Sequence, residues 1–137
     1  MFEHIVVAVD GSVQGGKTVP VALDMAKRYN SSVTVVHVRE HARYEGDDVD
    51  LEPATSAQGF MDGILSSFRE AGVDAQGVIR RVDPGRTPEQ IVEVANESHA
   101  DLIVMGTRGM TEWKSLLLGG VANKVVHHAT CPVLLVR

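Results

Sequence analysis

Two glycine-rich strings mark where this chain could grip an anion. The first is Gly11-Ser12-Val13-Gln14-Gly15-Gly16-Lys17-Thr18, a literal fit to G-x-x-x-x-G-K-[S/T]. Where that pattern works, backbone N–H groups cradle phosphates, the lysine adds charge and the hydroxyl reaches a magnesium ion. The second is Gly106-Thr107-Arg108-Gly109, then nine residues, then Gly119-Gly120. Glycine lets a backbone approach a ligand closely and adopt positive φ. A loop closing on a helix start aims N–H groups and the positive end of the helix dipole at an anion.

The first string lacks its companions. A P-loop enzyme also needs an acidic residue at the end of an apolar strand to place magnesium. Here the fourth apolar run ends Met105-Gly106-Thr107, and Glu40 follows the second only after Arg39. Asp10 stands directly before the loop, where a carboxylate would face incoming phosphates. The plainer reading is a helix entry with Lys17 on a solvated face, and a P-loop phosphotransferase is the lesser alternative.

No catalytic set emerges. Ser12 has no histidine at a recognisable triad position, and Asp10 alone does not define a base. Any ATP hydrolysis is expected to be slow, below about 1 s⁻¹. His37 and His41 leave a strand rather than share a helix face, and His127, His128 and Cys131 lack a fourth ligand, so no metal site is expected. Trp113 is expected to pack the long second loop or cover a ligand.

The elements that must carry these loops alternate. His4 to Val9 is a continuous valine-rich run, the pattern of a strand buried on both faces. Val19, Ala22, Leu23, Ala26 and Tyr29 recur at helical spacing, and Asn30-Ser31-Ser32 ends that helix. Val33 to Val38 is a second buried strand. Residues 39–53 are polar, acidic and aperiodic, and are expected to form a loop. Ala57, Phe60, Met61, Ile64, Leu65 and Phe68 mark a second helix, stopped near Gly72.

Val78 to Val82, interrupted by Arg80 and Arg81, is a weaker strand at or near a sheet edge. Thr87-Pro88-Glu89-Gln90 predicts a helix start, with threonine as cap and Gln90 reaching back. Leu102 to Met105 and Val133 to Val136 are the fourth and fifth strands, with a helix over Val121 to Ala129 between them. Such alternation implies one parallel sheet with helices on both faces, binding its ligand beyond the strands' carboxyl ends where the winding reverses.

With 137 residues the chain is the size of one domain, and 44% hydrophobic residues can fill a core. A net charge of −5 argues against a general nucleic-acid or membrane-surface binder, since both need a concentrated basic face. No apolar run approaches the roughly 18 residues of a membrane helix, and no signal-peptide pattern is present. A single cysteine, Cys131, fits a reducing compartment, so the expected location is cytoplasmic.

Nearly end to end, the chain resembles the universal stress protein family. The resemblance rests on Ile5-Val6-Val7-Ala8-Val9-Asp10-Gly11-Ser12, on Val35-Val36-His37-Val38 and on Asp101-Leu102-Ile103-Val104-Met105-Gly106-Thr107-Arg108-Gly109. It continues through Ser115-Leu116-Leu117-Leu118-Gly119-Gly120-Val121-Ala122 and His128-Ala129-Thr130-Cys131-Pro132-Val133-Leu134-Leu135-Val136. The family's ATP-binding branch carries G-x2-G-x9-G followed by serine or threonine. This chain keeps the three glycines and departs at Gly120, which holds the hydroxyl position. The missing hydroxyl removes about 1–3 kcal/mol of phosphate contact, while the backbone N–H survives.

The resemblance implies one domain over residues 1–137, a doubly wound five-stranded parallel sheet in the order 3-2-1-4-5. It further implies a regulatory or stress-response protein that binds ATP, with Mg²⁺ held through the phosphates. By position, Asp10 would meet the adenine or ribose, helped by Ala8 and Val9. Val38 would contact the base, and Met105 and Gly106 the ribose region. Gly109, Gly119, Gly120, Val121 and Ala122 would surround the phosphates, with Arg108 adding charge. The last strand, apolar on both sides at a sheet edge, is expected to pair with a second copy as a homodimer. A dimeric interaction module without nucleotide is the alternative from a different class.

Overall fold

The structure is a computed structural model that describes residues 1–10, 15–51, 53–107 and 120–137. The valine-rich opening forms strand β1 (His4–Val9), followed by helix α1 (Gly15–Tyr29) and strand β2 (Ser32–Tyr44). Strand β3 (Asp47–Asp50), helix α2 (Ala54–Glu70) and strand β4 (Ala75–Val82) come next. Helix α3 (Thr87–Glu97), strand β5 (Leu102–Gly106), helix α4 (Gly120–His128) and strand β6 (Val133–Val136) complete the order.

Parallel pairing runs β4-β2-β1-β5-β6, so β1 sits centrally and β4 and β6 lie at the edges. Successive side chains on a strand point to opposite faces, and the sequence fills both. Ile5, Val7 and Val9 join Ala22, Ala26, Met61, Leu65 and Phe68 in one core under α1 and α2. Val6 and Ala8 join Ile91, Val94, Met105, Ala122 and Val125 in a second core under α3 and α4. Burial on both faces explains why the central strands read as unbroken apolar runs.

The expected arrangement needs one amendment. Residues 39–53 were expected to be a loop; instead β2 continues to Tyr44 and pairs antiparallel with β3, adding a sixth strand. Glu45 (φ 52°) and Gly46 (φ 87°) make the two-residue turn, with the positive φ at both positions that a type I′ hairpin requires. Charge pairing across strands supports the hairpin: Arg39 lies 3.1 Å and Arg81 2.6 Å from the Asp50 carboxylate, and Arg43 lies 3.5 Å from Asp48.

The hairpin's position follows from hydrogen-bond direction. Ser32 N–H donates to Glu3 C=O, so even-numbered residues of β2 direct their backbone groups toward β1. Val33 N–H donates to Asp74 C=O, so odd-numbered ones face β4. Leu51 N–H donates to the carbonyl of Glu40, an even residue. β3 therefore lies on the β1 side of β2, in the column beyond β1's carboxyl end.

A second correction concerns the start of α3. Thr87 does not cap the helix: Arg86 holds the N-cap position and no side chain bonds there. The Thr87 hydroxyl donates to Glu40 Oε1 (2.9 Å), which also accepts the Gly85 N–H (3.0 Å). Gln90 turns to Glu93 rather than back to the cap. A carboxylate from β2 thus takes the hydroxyl that local rules assign to the helix.

At the opposite, amino edge of the sheet, His4 is held between two hydroxyls, Ser32 Oγ (2.5 Å) and Thr34 Oγ1 (2.9 Å). Burial pushes the His4 pKa down, against the raising influence of Asp101 and Asp74. The unfolded chain therefore binds this proton more readily than the folded one, and stability rises with pH through that window. Stability is present above the ordinary histidine pKa of about 6.5 and is lost as pH falls through the lower folded value. Urea midpoints across pH 5–8 are expected to slope less steeply in His4→Gln than in the unsubstituted chain; parallel slopes would contradict this account.

Candidate functional site

β1 and β5 lie side by side with Ala8 opposite Met105, which brings the end of β1 next to Gly106. The chain leaves β1 for α1 on one face and leaves β5 for α4 on the other. This is the reversal point at which an open parallel sheet has a crevice. Ala8, Val9 and Met105 are buried at its floor, and Asp10 and Gly106 are half-exposed at its rim.

The floor is pinned by a side chain that sequence reasoning passed over as a signal. His37 is buried, and its Nδ1 lies 2.9 Å from the Val9 carbonyl oxygen. That oxygen can only accept, so Nδ1 carries the proton. The ring meets Phe60 of α2 edge-on at 5.3 Å, which fixes its orientation. The next residue, Val38, turns the other way and packs half-buried against the α3/α4 core.

Gly120 is the first described residue of α4, with Val121 half-buried and Ala122 buried against α3 and the sheet. The N–H groups of a first helical turn point out of its amino end, along with the positive pole of the dipole. The structure thus gathers Ala8, Val9, Asp10, Val38, Met105 and Gly106 at one edge, with α4 in the layer beside them. Arg108, Gly109 and Gly119 lie outside the described residues, as do Ser12, the other residues of 11–14, and Trp113.

The first glycine string meets a different fate. Lys17 is exposed on α1, but Thr18 is wholly buried beside Ala22, and its hydroxyl has no hydrogen-bond partner among the described residues. A P-loop threonine must reach a magnesium ion on the phosphates. Thr18 is enclosed by the core instead.

Charged residues above the crevice were also missed. Arg81, hydrogen-bonded at 2.6 Å, holds the Asp50 carboxyl below its ordinary range, and Arg39 adds to this. His41 Nε2 lies 2.7 Å from Asp83. These groups brace the hairpin on its α1/α2 side. The signal available in the sequence was Glu45-Gly46, a two-residue turn between complementary charges.

The family model described as "Universal stress protein family" matches residues 1–137. The chain belongs to the universal stress protein family. A protein of Staphylococcus saprophyticus named for the same family is 32% identical over 99% of this chain and 84% of its own length. A universal stress protein from Archaeoglobus fulgidus superposes with a TM-score of 0.75 at 25% identity, covering 100% of both chains. The universal stress protein from that organism in complex with dAMP matches with a TM-score of 0.73 at 24% identity, over 99% of this chain and 98% of that one. The family's α/β fold is therefore the fold of this chain. Among the described residues, no helix is long and apolar enough to cross a membrane.

Proposed function

We propose that this universal stress protein binds an adenine nucleotide, ATP by preference, at the carboxyl edge of its sheet, and that occupancy rather than turnover is its regulatory output. One observation supports the reading: Asp10 follows β1 beside the Gly106 end of β5, and Ala122 of α4 packs in the same core as Ala8 and Met105. A carboxylate accepts from ribose hydroxyls, Gly106 lets a sugar approach the backbone, and the amino end of α4 suits phosphate. The dAMP bound by the Archaeoglobus relative is a ligand of the same chemistry.

These residues fit the nucleotide as a binder rather than as a reaction centre. Asp10 would orient the sugar, Val38 would meet the base, and the α4 opening would hold the phosphates, together with Arg108, Gly109 and Gly119. Mg²⁺ would be held through the phosphates. Bound ATP supplies negative charge whose presence or absence biases a surface near the crevice.

Denaturing the purified protein and identifying released small molecules by mass spectrometry, followed by ATP titration, tests the reading. ATP or a related adenine nucleotide is expected, and Lys17→Ala is expected to bind it with unchanged affinity. Abolition by Lys17→Ala would revive the P-loop phosphotransferase. No nucleotide and a flat titration would leave an interaction module.

A second copy is proposed to pair along β6. Among the described residues this strand bonds to β5 on one side only, and its four residues are half-buried, apolar on both faces. An unprotected apolar edge of this kind is a template for strand pairing. Light scattering at micromolar concentration should give twice the mass of one chain; the mass of a single chain would refute the pairing.

A further inference from the structure

We infer that His37 is a positioning residue of the crevice: by donating to the Val9 carbonyl it sets the peptide from which Asp10 projects, and so prepares that carboxylate for the ribose of a nucleotide. The inference rests on reading the crevice as an adenine-nucleotide site. His37 Nδ1 lies 2.9 Å from the Val9 carbonyl oxygen. That oxygen and the Asp10 N–H are opposite ends of one planar peptide unit. Holding the oxygen sets the tilt of the plane, and with it the direction in which the chain enters Asp10.

The bond falls where the sheet stops guiding the chain. Toward β5, the pairing of β1 ends at Ala8 opposite Met105. Toward β2 it runs one residue further, to Val9 opposite His37. The exit of β1 is therefore held from the β2 side, and the imidazole adds a side-chain donor at that last rung.

An imidazole is a costly choice for this place. Val33, Val35 and Val36 of the same strand are buried and apolar. His37 is itself only 1% exposed, and burying a polar ring costs free energy unless it is hydrogen-bonded. A valine would fill the strand without that cost. The edge-on contact with Phe60 holds the ring in one orientation, and with bulk water shut out a lost donor is not replaced by solvent. Asp10 stands half-exposed just beyond the tethered peptide. Its backbone is ordered before a ligand arrives, so less affinity is lost to ordering.

Calorimetric titration of the full chain with ATP, and separately with inorganic triphosphate, tests this in His37→Phe, His37→Leu and His37→Asn. Phenylalanine and leucine remove the donor, whereas the asparagine amide nitrogen stands about where Nδ1 does and keeps it. The two donorless variants should bind ATP about tenfold more weakly, and His37→Asn within about twofold of the unsubstituted chain. Triphosphate, which has no ribose, should bind all of them alike. In an Asp10→Ala background the donorless changes should weaken ATP no further, a coupling that a merely structural role would not produce. Thermal midpoints measured alongside keep each titration in the folded range. ATP affinity within about twofold in both donorless variants overturns the role and leaves the site standing. Equal weakening with and without Asp10 overturns it as well. An unsubstituted chain that binds no ATP removes the site itself, and the positioning role with it.

Discussion

Replacing Phe68 by alanine is expected to lower the free energy of unfolding by about 3–5 kcal/mol, the range for deleting a fully buried phenylalanine. Phe68 has 0% exposure and sits on the stripe of α2 that includes Ala57, Met61, Ile64 and Leu65. Gly77 of β4 brings that helix close: a Cβ there would come within 2.6 Å of Met61 Sδ. A helix seated so tightly has little freedom to collapse into the space left by a lost ring, so the cavity cost adds to the transfer cost.

Against a typical total of about 5–15 kcal/mol, a loss of this size leaves a marginal protein. Urea unfolding should show an earlier midpoint at an unchanged slope. Phe68 lies near the carboxyl end of α2, at the amino edge of the sheet, away from the crevice. Nucleotide affinity below the midpoint should therefore be retained. A loss under about 1 kcal/mol would mean that α2 is not packed on the sheet as described.

The second large effect is expected at Asp10. Its exchange for alanine should weaken ATP binding by about 10- to 100-fold, the value of a hydrogen bond to a charged group at about 1.5–3 kcal/mol. Asp10 follows β1 at the reversal point, and the buried His37 fixes the carbonyl just before it. The carboxylate would accept from the ribose hydroxyls in a place already set before the ligand arrives, so little ordering cost offsets the contact. Asp10→Asn, which keeps the shape but weakens the acceptor, should fall between. Calorimetry with the thermal midpoint measured alongside separates a binding loss from a folding loss. Unchanged affinity in both variants would take Asp10 out of the site.

Much of this molecule could be read before any coordinates. Buried strands announce themselves because both faces must be apolar, which is why His4–Val9 and Leu102–Gly106 stood out as unbroken runs. Their alternation with amphipathic helices leaves a doubly wound sheet as the economical arrangement, and the glycine strings point to its carboxyl edge. The weak β4, broken by Arg80 and Arg81, was legible as an edge because charged side chains are tolerated where one side faces water.

What the chain alone decided are features whose cause is local: which segments are strands, which helices carry an apolar stripe, and where glycine permits a close backbone. Features whose cause lies far along the chain were decided by the tertiary structure. Residues 39–53 look like an acidic loop until Arg39 and Arg81 come to Asp50 from other strands and turn it into a hairpin. Thr87 looks like a cap until Glu40 takes its hydroxyl. Thr18 looks like a phosphate ligand until the core closes over it. In the first two cases folding brought a distant partner within hydrogen-bond or ion-pair reach, and in the third it covered the side chain with packing, which no local rule foretells.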